Sequence, residues 1–94
     1  MPFVAQTPTP FARENILALN PNQMGVYGLF KPGLWIYVGK GDIRERLLSH
    51  LNGDNPCITR RAPIHYVAEV CPNPGAREVQ LIAELTPVCN QRLG

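Results

Sequence analysis

Residues 24 to 39 read MGVYGLFKPGLWIYVG, and this stretch decides the architecture. Two apolar runs with aromatic residues, Met24 to Phe30 and Leu34 to Gly39, flank Lys31-Pro32-Gly33. Proline suits the second position of a turn and glycine tolerates the positive φ of the next one. The stretch therefore predicts an antiparallel hairpin. Strict alternation along the second run places Trp35 and Tyr37 on one face, with Leu34, Ile36 and Val38 on the other. Tyr27 and Tyr37 stand on adjacent strands. They form either a structural cross-strand aromatic pair or part of a functional site, and both readings stand at this point.

Beyond the hairpin, Asp42 is a good N-cap, and Glu45 three residues later completes a capping box. Ile43, Leu47, Leu48 and Leu51 then recur at helical spacing, and Asn52-Gly53 ends the helix. Residues 53 to 63 read as a loop. Ile64 to Val70 predicts a third strand, and Pro74 opens a helix that runs to about Leu85, where Pro87 forbids continuation. Before the hairpin, FARENILAL at 11 to 19 predicts a short helix ended by Asn20-Pro21. Residues 1 to 10, with three prolines, predict an extended or frayed arm. The reading is an arm with a short helix over 1–22 and one domain over 23–94. Its fold class is α+β, a small three-stranded antiparallel sheet flanked by helices.

A chain of 94 residues suffices for one domain, and its 45% hydrophobic content is ordinary for a globular one. No run approaches the about 18 apolar residues of a transmembrane helix. The start, MPFVAQTPTPF, lacks the basic and apolar regions of a signal peptide. Cys57, Cys71 and Cys89 form an odd set without a C-x-x-C pair, which predicts reduced thiols in a cytoplasmic protein. A net charge of +2 is compatible with an anionic partner but does not select one.

Polar residues on the two longer helices carry the chemical interest. Arg46 and His50 are four apart and lie at the edge of the Ile43, Leu47, Leu51 stripe; they are either solvated, snorkelling, or directed at a site. Glu78 precedes Leu81, Ile82 and Leu85 by three, four and seven residues, so it projects toward the packed side. A carboxylate so placed is costly unless it pairs with Arg46, stays wet at the stripe end, or binds a cation.

GVY at 25–27, YVG at 37–39, Arg46, His50, Glu78 and Asn90 together resemble the signature of the GIY-YIG nucleases. YVGKGDIRERLLSH is similar to that family's second strand and arginine-bearing helix, and EVQLIAELTPVCN to its closing segment. Val26 and Val38 replace the isoleucines of the name motif. The loop at Gly41-Asp42 is one residue shorter than in many relatives, which makes Arg46 the family arginine, with Arg44 as its substitute in the other register.

The resemblance implies a metal-dependent endonuclease acting on nucleic acid, DNA above RNA, with one Mg²⁺ or Mn²⁺ ligated by Glu78. It implies that Arg46 binds the phosphate, that Tyr27 is the general base and Tyr37 orients the attacking water, or the two tyrosines exchange these roles, and that His50 relays the proton. For Tyr27, this requires Lys40, Arg46 or the metal to lower a phenol pKa that is ordinarily about 10. Gly39 and Asn90 then hold the site together. Lys40, Arg44, Arg60 and Arg61, with Lys31 and Arg77, offer a modest set of phosphate contacts. The chain has no helix-turn-helix, zinc finger or long basic run. A homodimer or a separate targeting protein would then supply selectivity; the alternative is a catalytically silent binding module of the same fold.

Overall fold

Gly33 has φ +79°, the left-handed value a type II turn asks of its third residue, so Lys31 pairs directly with Leu34. The structure, a computed structural model, describes residues 3–90. The hairpin strands are β2 (Met24–Lys31) and β3 (Leu34–Asp42), preceded by β1 (Thr9–Pro10) and α1 (Arg13–Leu17). After them come α2 (Ile43–Leu51), α3 (Pro56–Arg61), β4 (His65–Val70) and α4 (Pro74–Leu85). The sheet is antiparallel throughout, in the order β1-β4-β2-β3. Its three longer strands and flanking helices are the α+β arrangement that the sequence predicts.

Three local features depart from the sequence reading. A β-bulge sets Leu29 opposite Tyr37 but Phe30 opposite Trp35, which leaves Ile36 without a partner on β2. The extra residue breaks the alternation. Ile36 and Tyr37 therefore pack with one core cluster, and Trp35 and Val38 with the other. The predicted loop after α2 contains α3: Asn55 caps it, accepting from the amides of Cys57 and Ile58, and Pro56 fills the first turn. The N-terminal arm is extended and held on the sheet from Phe3 onward. Thr9–Pro10 pairs with β4, and Phe3 is buried and stacked on Trp35 with ring centroids 5.7 Å apart.

The two faces of the sheet carry separate cores. On one, Ile16, Leu29, Ile43, Leu47 and Ile58 pack around Tyr27 beneath α1, α2 and α3. On the other, Val26, Val38, Val67 and Phe3 meet Leu81 of α4. Leu47 and Leu81 have no exposed surface, and truncating such a leucine to alanine costs about 2–5 kcal/mol. Asp42 caps α2 by accepting from the Glu45 amide, as the capping pattern predicts.

The outer edge of β3 is covered by residues 88–90. The amides of Val88 and Cys89 donate to the carbonyls of Trp35 and Ile36 at 3.1 and 2.8 Å, so the bulge gives two consecutive carbonyls to the same segment. Cys89 is also joined to Cys57 by a disulfide. The expectation of three reduced thiols therefore holds for Cys71 alone, and the thiol argument for a cytoplasmic address goes with it. Sequence spacing could not reveal the pairing, because α3 and the β3 edge are brought together only by the folded sheet. Among the described residues no helix is long and apolar enough to cross a membrane.

Candidate active site

Tyr27 projects from β2 toward α2, and Gly39 opposite it on β3 makes the space for its ring. A Cβ at position 39 would collide with the Tyr27 phenol oxygen and lie 2.8 Å from Cε2 of Tyr37. The glycine of the YVG tripeptide is therefore a steric requirement of the tyrosine in GVY.

Around that phenol stand three further residues. Its oxygen lies 2.7 Å from Nε2 of His50, a residue that is itself only 3% exposed. Tyr37 meets the same imidazole edge-on, with centroids 5.1 Å apart. Arg46, one helical turn before His50, is exposed along its length but brings its guanidinium into hydrogen-bonding reach of the Tyr27 oxygen. Gly41 lies under its stem: a Cβ there would sit 3.3 Å from Arg46 Cγ. On the far side of the His50 ring, Nδ1 lies 2.8 Å from Oδ1 of Asp54.

Electrostatics in the cluster follow from burial. Burial raises the Tyr27 phenol above the ordinary tyrosine value; the hydrogen bond from Arg46 lowers it, but by less. Among the protein's own groups Arg46 does not suffice to lower the phenol, because an enclosed oxygen loses more hydration than one guanidinium restores. The contact with Tyr27 in turn raises Arg46. Burial lowers His50, against an opposing effect of Asp54, which favours a neutral imidazole able to accept a proton.

Glu78 is carried on α4, the helix that packs on the opposite face of the sheet through Leu81. Its side chain is half-buried and, among the described residues, has no hydrogen-bond or ion-pair partner. The ion pair with Arg46 entertained from the sequence does not form. The α4 cation that does pair is Arg77, which holds Glu69 by two bonds of 2.8 and 3.1 Å, so Arg77 leaves the set of phosphate contacts. Strand β3 is the wall shared by both halves: Tyr37 and Gly39 serve the tyrosine cluster, and the Lys40 ammonium reaches the first turn of α4 beside Gly75.

Other predicted residues take supporting places. Asn90 clamps Val38 from the edge, donating to its carbonyl at 2.9 Å and accepting from its amide at 2.7 Å. This replaces the backbone pairing that a further strand would give, and it fixes β3 between its two tyrosine-contacting residues. Arg60 and Arg61 are exposed on α3. Arg44 is half-buried on α2, and its Nε is buried without a partner among the described residues. Asp54 is the site contact that the sequence reading missed. Its only signal there is its place four residues after His50, just past the predicted helix end.

Solved structures show the same fold. The chain matches the N-terminal endonuclease domain of UvrC from Thermotoga maritima at 30% identity, covering 85% of this chain and 94% of that domain with a TM-score of 0.73. It belongs to the GIY-YIG endonuclease family. That UvrC structure is a tyrosine-to-phenylalanine mutant bound to its catalytic divalent cation. An asparagine-to-alanine mutant of the same domain matches at 29% identity, with the same coverage and TM-score. The magnesium-bound form matches at 30% identity over 84% of this chain and 94% of that one, with a TM-score of 0.70. No protein-family model matches the chain, and no curated protein does. As a GIY-YIG endonuclease the chain is an enzyme, built on the sheet and helices described above.

Proposed function

We propose that this GIY-YIG endonuclease hydrolyses phosphodiester bonds in DNA with a single divalent cation, Mg²⁺ or Mn²⁺, held by Glu78. The observation that carries the reading is the half-buried Glu78 carboxylate, without a partner among the described residues of a chain similar to a UvrC domain that is bound to its catalytic divalent cation. Among the described residues no group of three or more His, Cys, Asp or Glu side chains gathers. One carboxylate with the remaining positions left to water and phosphate suits Mg²⁺, which dehydrates reluctantly. When bound, such an ion supplies positive charge to the phosphate and to the departing oxygen.

The residues of the chain do the rest. Arg46 presents a planar fork of donors to the nonbridging phosphate oxygens. Tyr37, half-buried at the rim, orients the attacking water. Tyr27 takes the water proton while passing its own to His50, so it acts without first becoming a phenolate. The raised phenol and the neutral imidazole support a relay of this kind. Lys40, Arg44, Arg60 and Arg61 contribute phosphate contacts, so binding is weak and falls with added salt. A second copy or a targeting protein supplies selectivity.

Nicking of supercoiled plasmid and branched DNA with Mn²⁺ tests the reading. Wild type is expected to cut, and Glu78→Ala to bind DNA without cutting. Binding by the wild type with no cleavage under any divalent metal would instead make the chain a binding module.

A further inference from the structure

The end of α2 holds a carboxylate placed by backbone conformation. Gly53 takes φ +89°, a left-handed value that ends the helix and turns the chain back on itself. The Asp54 amide then donates to the Ser49 carbonyl at 3.2 Å, and the Asp54 side chain folds over the last turn to reach His50. A carboxylate can only accept, so the imidazole nitrogen 2.8 Å away, Nδ1, carries the ring hydrogen. Nε2 is left with its lone pair toward the Tyr27 hydroxyl at 2.7 Å. With the His50 side chain only 1% exposed, these two contacts fix both the tautomer and the plane of the ring.

We infer that Asp54 is a positioning residue that locks His50 in its Nδ1–H form, so that Nε2 receives the Tyr27 proton. The inference rests on the hydrolysis proposed above. In that step an O–H bond of water breaks and its proton joins the Tyr27 oxygen, while the Tyr27 proton forms the N–H bond at Nε2. The hydroxide adds to phosphorus, and the leaving oxygen departs with its electron pair. The resulting imidazolium lies against the Asp54 carboxylate. The groups that face the ring are Arg46 on its own helix, Tyr27 on β2, Tyr37 on β3 and Asp54. The neighbouring α1 and α3 carry Arg13, Glu14, Arg60 and Arg61, none of which perturbs it. Asp54 raises its proton affinity and Arg46 lowers it.

The test combines nitrogen-15 NMR of His50 in the metal-free full chain with pH–rate profiles of plasmid nicking in Mn²⁺. Wild type is expected to show a bare Nε2 and a protonated Nδ1 at neutral pH. In Asp54→Ala the Nε2–H form appears, and the acid limb of the rate profile moves to lower pH. There kcat falls by about 10- to 100-fold with KM unchanged, part of the about 10²–10⁴ that a positioned base supplies. Asp54→Glu restores the tautomer and part of the rate, which a role in folding alone would not require. A protonated Nε2 in the wild type, or an Asp54→Ala protein with unaltered tautomer and rate, overturns the inference. A tautomer that depends on Asp54 in a protein that never nicks DNA upholds the positioning and overturns the hydrolysis.

Discussion

The Tyr27 phenol and the His50 imidazole form a 2.7 Å hydrogen bond between β2 and α2, with no exposed tyrosine surface and almost none on the histidine. Two polar groups so enclosed depend on each other. Tyr27→Phe leaves Nε2 without a donor and removes the proposed first proton acceptor. Cleavage is expected to fall by about 10²–10⁴-fold. Stability is expected to fall by only about 1–3 kcal/mol. Nicking rates and urea midpoints measured on the same preparation separate the two effects.

His50 also makes stability depend on pH. Burial lowers its pKa in the folded protein, so the unfolded chain binds the proton more readily. The contribution is fully present above the ordinary histidine value of about 6.5 and is lost as pH falls from there toward the folded value. Glu69, lowered chiefly by its hydrogen bond with Arg77, behaves likewise at more acidic pH, below the ordinary carboxylate value. Urea midpoints should therefore decline in two stages on acidification. His50→Gln should flatten the upper stage alone; an unchanged slope there would mean that another group is responsible.

Gly39 links the two name tripeptides sterically. In Gly39→Ala the new methyl would run into the Tyr27 oxygen and come within 2.6 Å of its Cζ. Because the ring is enclosed, it can escape only by distorting the cluster. A loss of about 1–3 kcal/mol is expected, together with cleavage as weak as that of Tyr27→Phe. A fully active Gly39→Ala enzyme would refute the claim that this glycine exists to house the phenol.

Much of this arrangement was legible because local and tertiary demands agree. The Asp42 cap, the Ile43–Leu47–Leu51 spacing and the Pro74 start each fix an element by short-range rules, and the structure follows them. The parts that escaped depend on contacts distant in sequence. The bulge at Ile36 is tied to the edge segment at 88–90, which no alternation count can register. Asn55-Pro56 serves equally well as a turn or as a helix start, and only the burial of Ile58 decides. Asp54 reaches His50 through the left-handed Gly53, and the Thr9–Pro10 pairing is too short to carry a pattern.

The Cys57–Cys89 disulfide closes a span of 32 residues and anchors the segment that precedes Asn90. The chain-entropy argument assigns such a closure about 3–4 kcal/mol. Reduction should lower the urea midpoint accordingly, and an equal midpoint with and without reductant would show that the bond contributes nothing. Asn90→Ala tests the same edge from the other side. Loss of its two bonds to Val38 should cost about 1–3 kcal/mol and speed amide exchange at Val38.

Among the described residues, 88–90 lie along β3 from Trp35 to Val38, and β1 lies along the start of β4, so each margin of the sheet is covered over part of its length. Fibrous self-association by sheet extension is thereby discouraged. A second copy meeting the first on DNA is then expected to do so through helices or loops rather than by joining the sheets.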